Sequence, residues 1–414
     1  MTSFADITTM GVGGPIAHFI EPTTRVGLIE AVEEADSKGL PLVVVGGGSN
    51  LLVSDKPFDG VVVRDARRLI TVPDEAAPVE GEDRTVHVNA EAGANWDDFV
   101  AFTVELGLEG VEGLSGIPGT VGGGVLMNAG AYGAELSQVV AQVEGIHLAD
   151  GRRVSYPADR LSFSPADLRF GYRYSALKTS MYAGPGRPAG RFFPTPRYVV
   201  LSVTFALTHS AEGTVGYGQL AKALGVEVGD RMATADIRKA VLAVRAAKGM
   251  LEDPTRYALP DMATAKREAN ILTDLERLAS LNEAAGIPVG DDGLPAPDYN
   301  RHSCGSFFMN PILTADQAAA LPEDAPKFDA TLPDGTPGTK TSAAWLIDHA
   351  GCHKGYKVDA DAPASLSTQH TLALTNRGGA SAADIAALAR AVQQAVKSAF
   401  GVDLVPEPVC VGVL

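Results

Sequence analysis

The sequence predicts an α+β protein of three domains, spanning about residues 1–82, 83–213 and 214–414. Its first half reads as short β-rich runs punctuated by glycine turns, and after Gly216 the texture becomes more helical. An acidic, proline-containing segment, Pro73 to Asp83, reads as an exposed connection between the first two domains. At 414 residues, 45% hydrophobic and 20% charged, the chain can bury a substantial core and is long enough for more than one domain.

Taken in order, Val26, Leu28, Ile29, Val32 and Ala35 recur at helical spacing between Thr23 and Gly39. Pro41 then opens LPLVVVGGGSNLLV, a strand, a glycine turn and a second strand, and GVVVRD (Gly60 to Asp65) is a third β-rich run. A helix is expected over Trp96 to Leu106, and another over Thr234 to Lys248 with Thr234 as its N-cap. Residues 251–300 read as a helical insertion, ATAKREANILTDLERLASLNEAAG, bracketed by turn-rich stretches. HSCGSFFMNP, His302 to Pro311, reads as a strand entered through a glycine turn. Near the end, SAADIAALARAVQQAVKSAFG is an amphipathic helix with Ser381 as cap and Gly401 as stop, followed by a β-rich terminus that carries Glu407 between two prolines.

Charge and cysteine content narrow the function. With 34 basic against 50 acidic residues the net charge is −16, which disfavours nucleic acid and requires local positive groups for any phosphate-bearing ligand. Cys304, Cys352 and Cys410 stand far apart without CxxC spacing, so neither a structural metal site nor a disulfide framework is expected. MTSFADITTM is not a secretory leader, and no run approaches the roughly 18 apolar residues of a membrane span. A cytoplasmic protein without an obligate protein partner is the expectation.

GGGSN, Gly46 to Asn50, is followed by a strand, whereas a dinucleotide fingerprint needs a helix there. Consecutive glycine amides can still form an anion-binding nest; a plain hairpin is the other reading. A second passage carries nine glycines between Gly110 and Gly133. Two such segments suggest one extended cofactor whose diphosphate is wrapped by backbone from both, as in VAO-type flavin-binding loops. Arg173 and Lys178, which stand with Tyr172 in GYRYSALK, Arg245 and Lys248 in RAAK, and Lys354 with Lys357 read singly as solvated charges and together as candidates for the local positive groups a nucleotide substrate requires. Ser306 has a local base candidate only in His302, which on a strand stands roughly 13 Å away, so hydrolase chemistry is not supported.

In series, VVGGGSNLLV, GIPGTVGGG with NAGAYG, GYRYS, YGQL, RAAK, GSFFMNP, AWLIDHAG and the late PE resemble the UDP-N-acetylenolpyruvoylglucosamine reductase (MurB) family over nearly the whole chain. The resemblance implies a VAO/PCMH-type FAD-binding module of two α+β subdomains plus a C-terminal α/β substrate-binding domain. It implies NADPH- and FAD-dependent reduction of the enolpyruvyl ether of UDP-N-acetylglucosamine enolpyruvate to UDP-N-acetylmuramate, a step of peptidoglycan precursor synthesis. Matching motif to motif, Ser306 is the proton donor, Arg173 and Glu407 stabilise the enolate-like intermediate, and Glu407 is protonated or one end of a proton relay. Tyr172, Tyr217, Lys248 and Asn310 are implied in substrate binding, Tyr217 by closing over the uridine and Lys248 by reaching a diphosphate. FAD falls to Gly46, Gly47, Gly48, Ser49, Asn50, Gly116, Ile117, Pro118, Gly119, Thr120, Gly122, Gly123, Asn128 and Gly130. The chain departs from the pattern at Met309, where a lysine is usual, at Val409 and Cys410 after Glu407, and in the length of the 251–300 insertion. The alternatives are another VAO-type flavoprotein oxidase of sugars and a sugar-nucleotide-binding protein without catalysis.

Overall fold

The computed structural model describes residues 1–73, 84–148, 159–182, 194, 196–253, 283, 298–332 and 334–413. Most of the expected 251–300 helix lies outside them, as does most of the acidic connection.

Near the N-terminus three strands, Ile16–Ile20, Leu42–Val45 and Phe58–Arg64, form a parallel sheet with Phe58–Arg64 in the middle. Parallel strands need both faces covered, and the valine run of the middle strand divides accordingly. Val61 and Val63 pack with Leu28 and Val32 of the helix Arg25–Ser37, while Val62 faces Phe4, Ile7 and Val411. The helix starts where expected, with the Thr24 hydroxyl accepting from Gly27 N–H at 3.1 Å. Ile146, Leu148, Val199 and Leu201 join the same core from beyond the acidic connection, so hydrophobic packing crosses that segment.

A second, antiparallel sheet runs in the order Asp159–Phe163, Val140–His147, Tyr198–His209, Thr85–Glu91 and Ile70–Thr71. Alternate residues of its strands bury against the helices Trp96–Glu105 and Val121–Met127. Trp96, Phe99 and Phe205 are its aromatic centre, with centroids 4.5–6.1 Å apart, and Trp96 Nε1 donates to Leu114 O at 2.9 Å.

The remainder is built on the helix Ala382–Phe400. Ser381 and Asp384 form a reciprocal cap, and Gly401 ends the helix at φ +69°, as the sequence indicated. Its buried stripe, Ile385, Leu388, Ala389, Val392 and Val396, shares one core with Phe307 and Phe308 and with Met10 and Leu52 from the N-terminal region.

Two local expectations are corrected. The helix Thr234–Ala247 begins at Thr234 and has Ala233 at its N-cap position. Thr234 is instead the buried end of a ladder, its amide and hydroxyl both donating to Ala211 O at 2.9 and 3.4 Å. His302 to Pro311 is not a strand. Gly305 sits at φ +73°, which breaks the extended run, and only Phe308 forms an isolated bridge, to Pro406.

Candidate active site

The strands on either side of the triglycine do not pair with each other. Leu42–Val45 joins the parallel sheet, whereas Leu51–Val53 pairs in parallel with Val409–Val411 at the far end of the chain. Gly46 to Asn50 is therefore no hairpin turn but a loop thrown between two sheets, and it forms one wall of a cavity of about 480 Å³. That volume suits a small-molecule or cofactor site.

The loop has no room for side chains. A Cβ at Gly47 would stand 2.7 Å from Gly119 Cα, one at Gly46 would strike the Thr120 hydroxyl, and one at Gly48 (φ +64°) would be driven into the Ile7 carbonyl. Ser49 Oγ donates to Pro118 O at 2.7 Å, locking the first glycine loop onto the second. Asn50 Nδ2 is buried and has no partner among the described residues. Bare backbone from two sides with a donor in reserve fits an extended, acceptor-rich group such as the FAD diphosphate. Gly48→Ala is expected to leave the purified protein with little or no bound flavin, read as the ratio of visible to ultraviolet absorbance. Wild-type flavin content in that variant would remove the loop from the site.

Of the residues expected to hold a cofactor, Gly46 to Asn50, Ile117 to Thr120, Gly123 and Gly130 line the cavity. Gly116, Gly122 and Asn128 lie behind it. Gly116 is clamped from both sides: its N–H donates to Asp97 Oδ1 at 2.6 Å and its carbonyl accepts from Arg245 Nε at 3.0 Å. Arg238 holds the Asp97 carboxylate by two bonds, of 2.7 and 2.9 Å. A Cβ at Gly122 would press on Ala92, and Asn128, in the left-handed region at φ 43°, donates to Gly171 O at 3.0 Å.

That last bond positions the loop bearing Arg173, itself at φ 57°. Its Nε stands 2.9 Å from Glu407 Oε1 and its Nη2 donates to Gly130 O at 2.9 Å. Both partners of the ion pair are largely buried, the side chains being 20% and 15% exposed. Burial pushes the Glu407 carboxyl above its ordinary range, and the charges of Arg173 and Lys178 pull against that shift.

Ser306 arrives beside this pair because the chain terminus returns along its segment. Glu407 N–H donates to Phe307 O at 2.8 Å, Met309 N–H donates to Val405 O at 3.0 Å, and Phe307 N–H donates to Leu372 O at 2.8 Å. Ser306 lines the cavity, as do Arg173 and Glu407. His302 is tied to Asp253 at 2.8 Å, so it offers Ser306 no base.

Two further cations, Arg245 and Lys248, line the cavity. Lys248 Nζ donates to Gln219 Oε1 at 2.7 Å, and burial, then the charge of Arg245, lowers its pKa. His370 is held neutral with a pKa of about 4, by burial first and then by Lys248, Lys354 and Arg245. Tyr217 is 49% exposed, its ring edge-on to Tyr132 at 6.0 Å, and Lys248 Nζ lies 6.0 Å from the same Tyr132 ring. Tyr172 and Asn310 are not part of the lining. Asn310 meets the Tyr172 phenol and accepts from Ala343 N–H at 2.9 Å, behind Arg173, whose guanidinium carbon lies 5.3 Å from the Tyr172 ring. Thus Ser306, Arg173, Glu407, Tyr217 and Lys248 converge on one cavity, and Tyr172 and Asn310 back it.

The sequence reading did not assign His370 or Arg301 to the site, and both line it. Neither carries a local pattern; each reaches the cavity through long-range packing. Among the described residues there is no metal-binding cluster and no helix long and apolar enough to cross a membrane.

Comparison with known proteins adds to this geometry. Residues 15–156 match the family model described as FAD binding domain, and residues 297–411 match the C-terminal domain of UDP-N-acetylenolpyruvoylglucosamine reductase. The chain is 40% identical to the UDP-N-acetylenolpyruvoylglucosamine reductase of Cutibacterium acnes, across 99% of this chain and 89% of that protein. It is also 40% identical to the Thermobifida fusca enzyme of the same name, across 99% and 96%. Among solved structures it matches the UDP-N-acetylenolpyruvylglucosamine reductase of Thermus caldophilus with a TM-score of 0.50 at 24% identity, covering 98% of this chain and 96% of that one; this likeness concerns the fold.

Proposed function

Because the chain belongs to the UDP-N-acetylenolpyruvoylglucosamine reductase family, we propose that its cavity is where the enolpyruvyl ether of UDP-N-acetylglucosamine enolpyruvate is reduced to UDP-N-acetylmuramate. The protein is an FAD- and NADPH-dependent oxidoreductase of peptidoglycan precursor synthesis. Bound FAD supplies the hydride, taken from NADPH, to the methylene carbon of the enol ether.

The protein supplies everything else. Hydride addition to the methylene carbon pushes an electron pair onto the carbon beside the substrate carboxylate. Arg173 holds that carboxylate and offsets the charge that builds on it, an effect that matters more in a water-poor site than in solution. The Ser306 Oγ proton goes to the carbanionic carbon; no strong acid is needed, because the acceptor is strongly basic and the donor is held in place. Glu407, with its pKa raised by burial, is suited to carry a proton toward Ser306 from the neighbouring segment. Lys248, with Arg245 behind it, meets a diphosphate, and Tyr217 covers the nucleoside. The three cysteines are free and buried, in keeping with the reducing cytoplasm, where both substrates are available.

The observation that carries this reading is the meeting of Ser306 with the Arg173–Glu407 pair at the cavity walled by two glycine loops. The test is anaerobic. NADPH should bleach the visible flavin band of the purified protein, and UDP-N-acetylglucosamine enolpyruvate should restore it. Restoration by oxygen alone would leave the flavin and overturn the substrate.

A further inference from the structure

We infer that Arg301 is a binding residue for the diphosphate of the flavin cofactor, an assignment that rests on the flavin reading above. The residue is 4% exposed and its side chain 1%, yet it lines the cavity. Among the described residues its guanidinium makes one hydrogen bond, a long one, from Nη1 to Glu252 O at 3.3 Å. Nε is buried without an acceptor; Asp298 Oδ2 stands at 3.6 Å, too far for a hydrogen bond. Most of the five donors of an arginine are therefore unused in a place where unused donors are costly. Burial accordingly pulls its pKa down, with Asp253 and Asp298 opposing.

The location selects the ligand. Ser303 N–H donates to Arg301 O at 2.9 Å, Thr9 Oγ1 donates to Ser303 O at 2.6 Å, and Thr9 N–H donates to Gly48 O at 3.1 Å. This relay ties the main chain of Arg301 to the triglycine loop. On that loop Asn50 Nδ2 is a second buried donor that lines the cavity and lacks a partner. A planar guanidinium and a carboxamide N–H, both unspent, suit two phosphate oxygens, and an arginine can take them in bidentate fashion. In a chain of net charge −16, such a group also counters the global field where an anion must sit.

The competing account is an ion pair with Asp298 that only braces the segment 298–303. Titrating the flavin-stripped protein and its Arg301→Gln and Arg301→Lys variants with FAD and with riboflavin, by flavin fluorescence, separates the two. Arg301→Gln should weaken FAD about 10–100-fold, with a smaller loss in Arg301→Lys. Riboflavin, which has no diphosphate, and UDP should bind within twofold of wild type, and the Tm of the stripped protein should hold or rise. FAD affinity within twofold of wild type overturns the assignment. Equal losses for FAD and riboflavin with a lowered Tm, or a loss confined to UDP, overturn it as well. If the wild-type stripped protein takes up no FAD at all, it is the flavin reading that fails, an outcome distinct from parity between variants.

Discussion

Ser306→Ala is expected to retain flavin and to be bleached by NADPH at close to the wild-type rate, yet to be reoxidised by the enolpyruvyl substrate about 10²–10⁴ times more slowly. The split follows from what the hydroxyl touches. Ser306 faces the cavity from a segment held by main-chain bonds of Phe307 and Met309, and removing one oxygen leaves those bonds in place. Hydride transfer from NADPH to the cofactor asks nothing of a proton donor on the substrate side. Stopped-flow measurement of the two half-reactions separates them; normal reoxidation would take Ser306 out of the chemistry. Slowed bleaching would place it in nicotinamide binding instead.

For Arg173→Gln the expected cost to reoxidation by substrate is about 10²–10³-fold, the scale seen when one preorganised electrostatic donor is removed. A glutamine amide ends where Arg173 Nε stands, so it keeps a donor near Glu407 while the bond from Nη2 to Gly130 O is lost. The charge that opposes the burial of Glu407 is then halved in number, leaving Lys178, and the carboxyl titrates still higher than it does beside Arg173. The pH profile of reoxidation should therefore move its Glu407-linked limb to higher pH, whereas the profile of flavin reduction by NADPH should not move. Equal slowing of both half-reactions would mean that Arg173 shapes the cavity as a whole and does not hold the substrate carboxylate.

What could be read in the sequence was what repeats over short distances. The helix Ala382–Phe400 announces itself by a buried stripe, a serine with an aspartate three residues on, and a closing glycine, all within one local window. Bare glycine runs likewise betray close approach of backbone, and Gly46 to Gly48 are tight against Thr120, Gly119 and Ile7. Thr234 shows the limit: its residue type suits a cap, but a buried ladder bond to Ala211 claims its hydroxyl. The segment before Phe307 looked like a strand because its composition suits one, and a single left-handed glycine undid the pattern. The clamp on Gly116 was not legible at all, since Asp97, Arg238 and Arg245 are ordinary surface residue types whose partners are set by tertiary packing.

The pairing of Val409–Val411 with Leu51–Val53 bears on how the protein comes into being. The triglycine loop is synthesised well before Val409–Val411, so its outer strand stays uncovered until that later segment has emerged and paired with it. A chain that stops before Glu407 lacks both the strand that secures the loop and the carboxyl of the Arg173 ion pair. Flavin retention by the newly made protein therefore reports that this late segment has found the early loop.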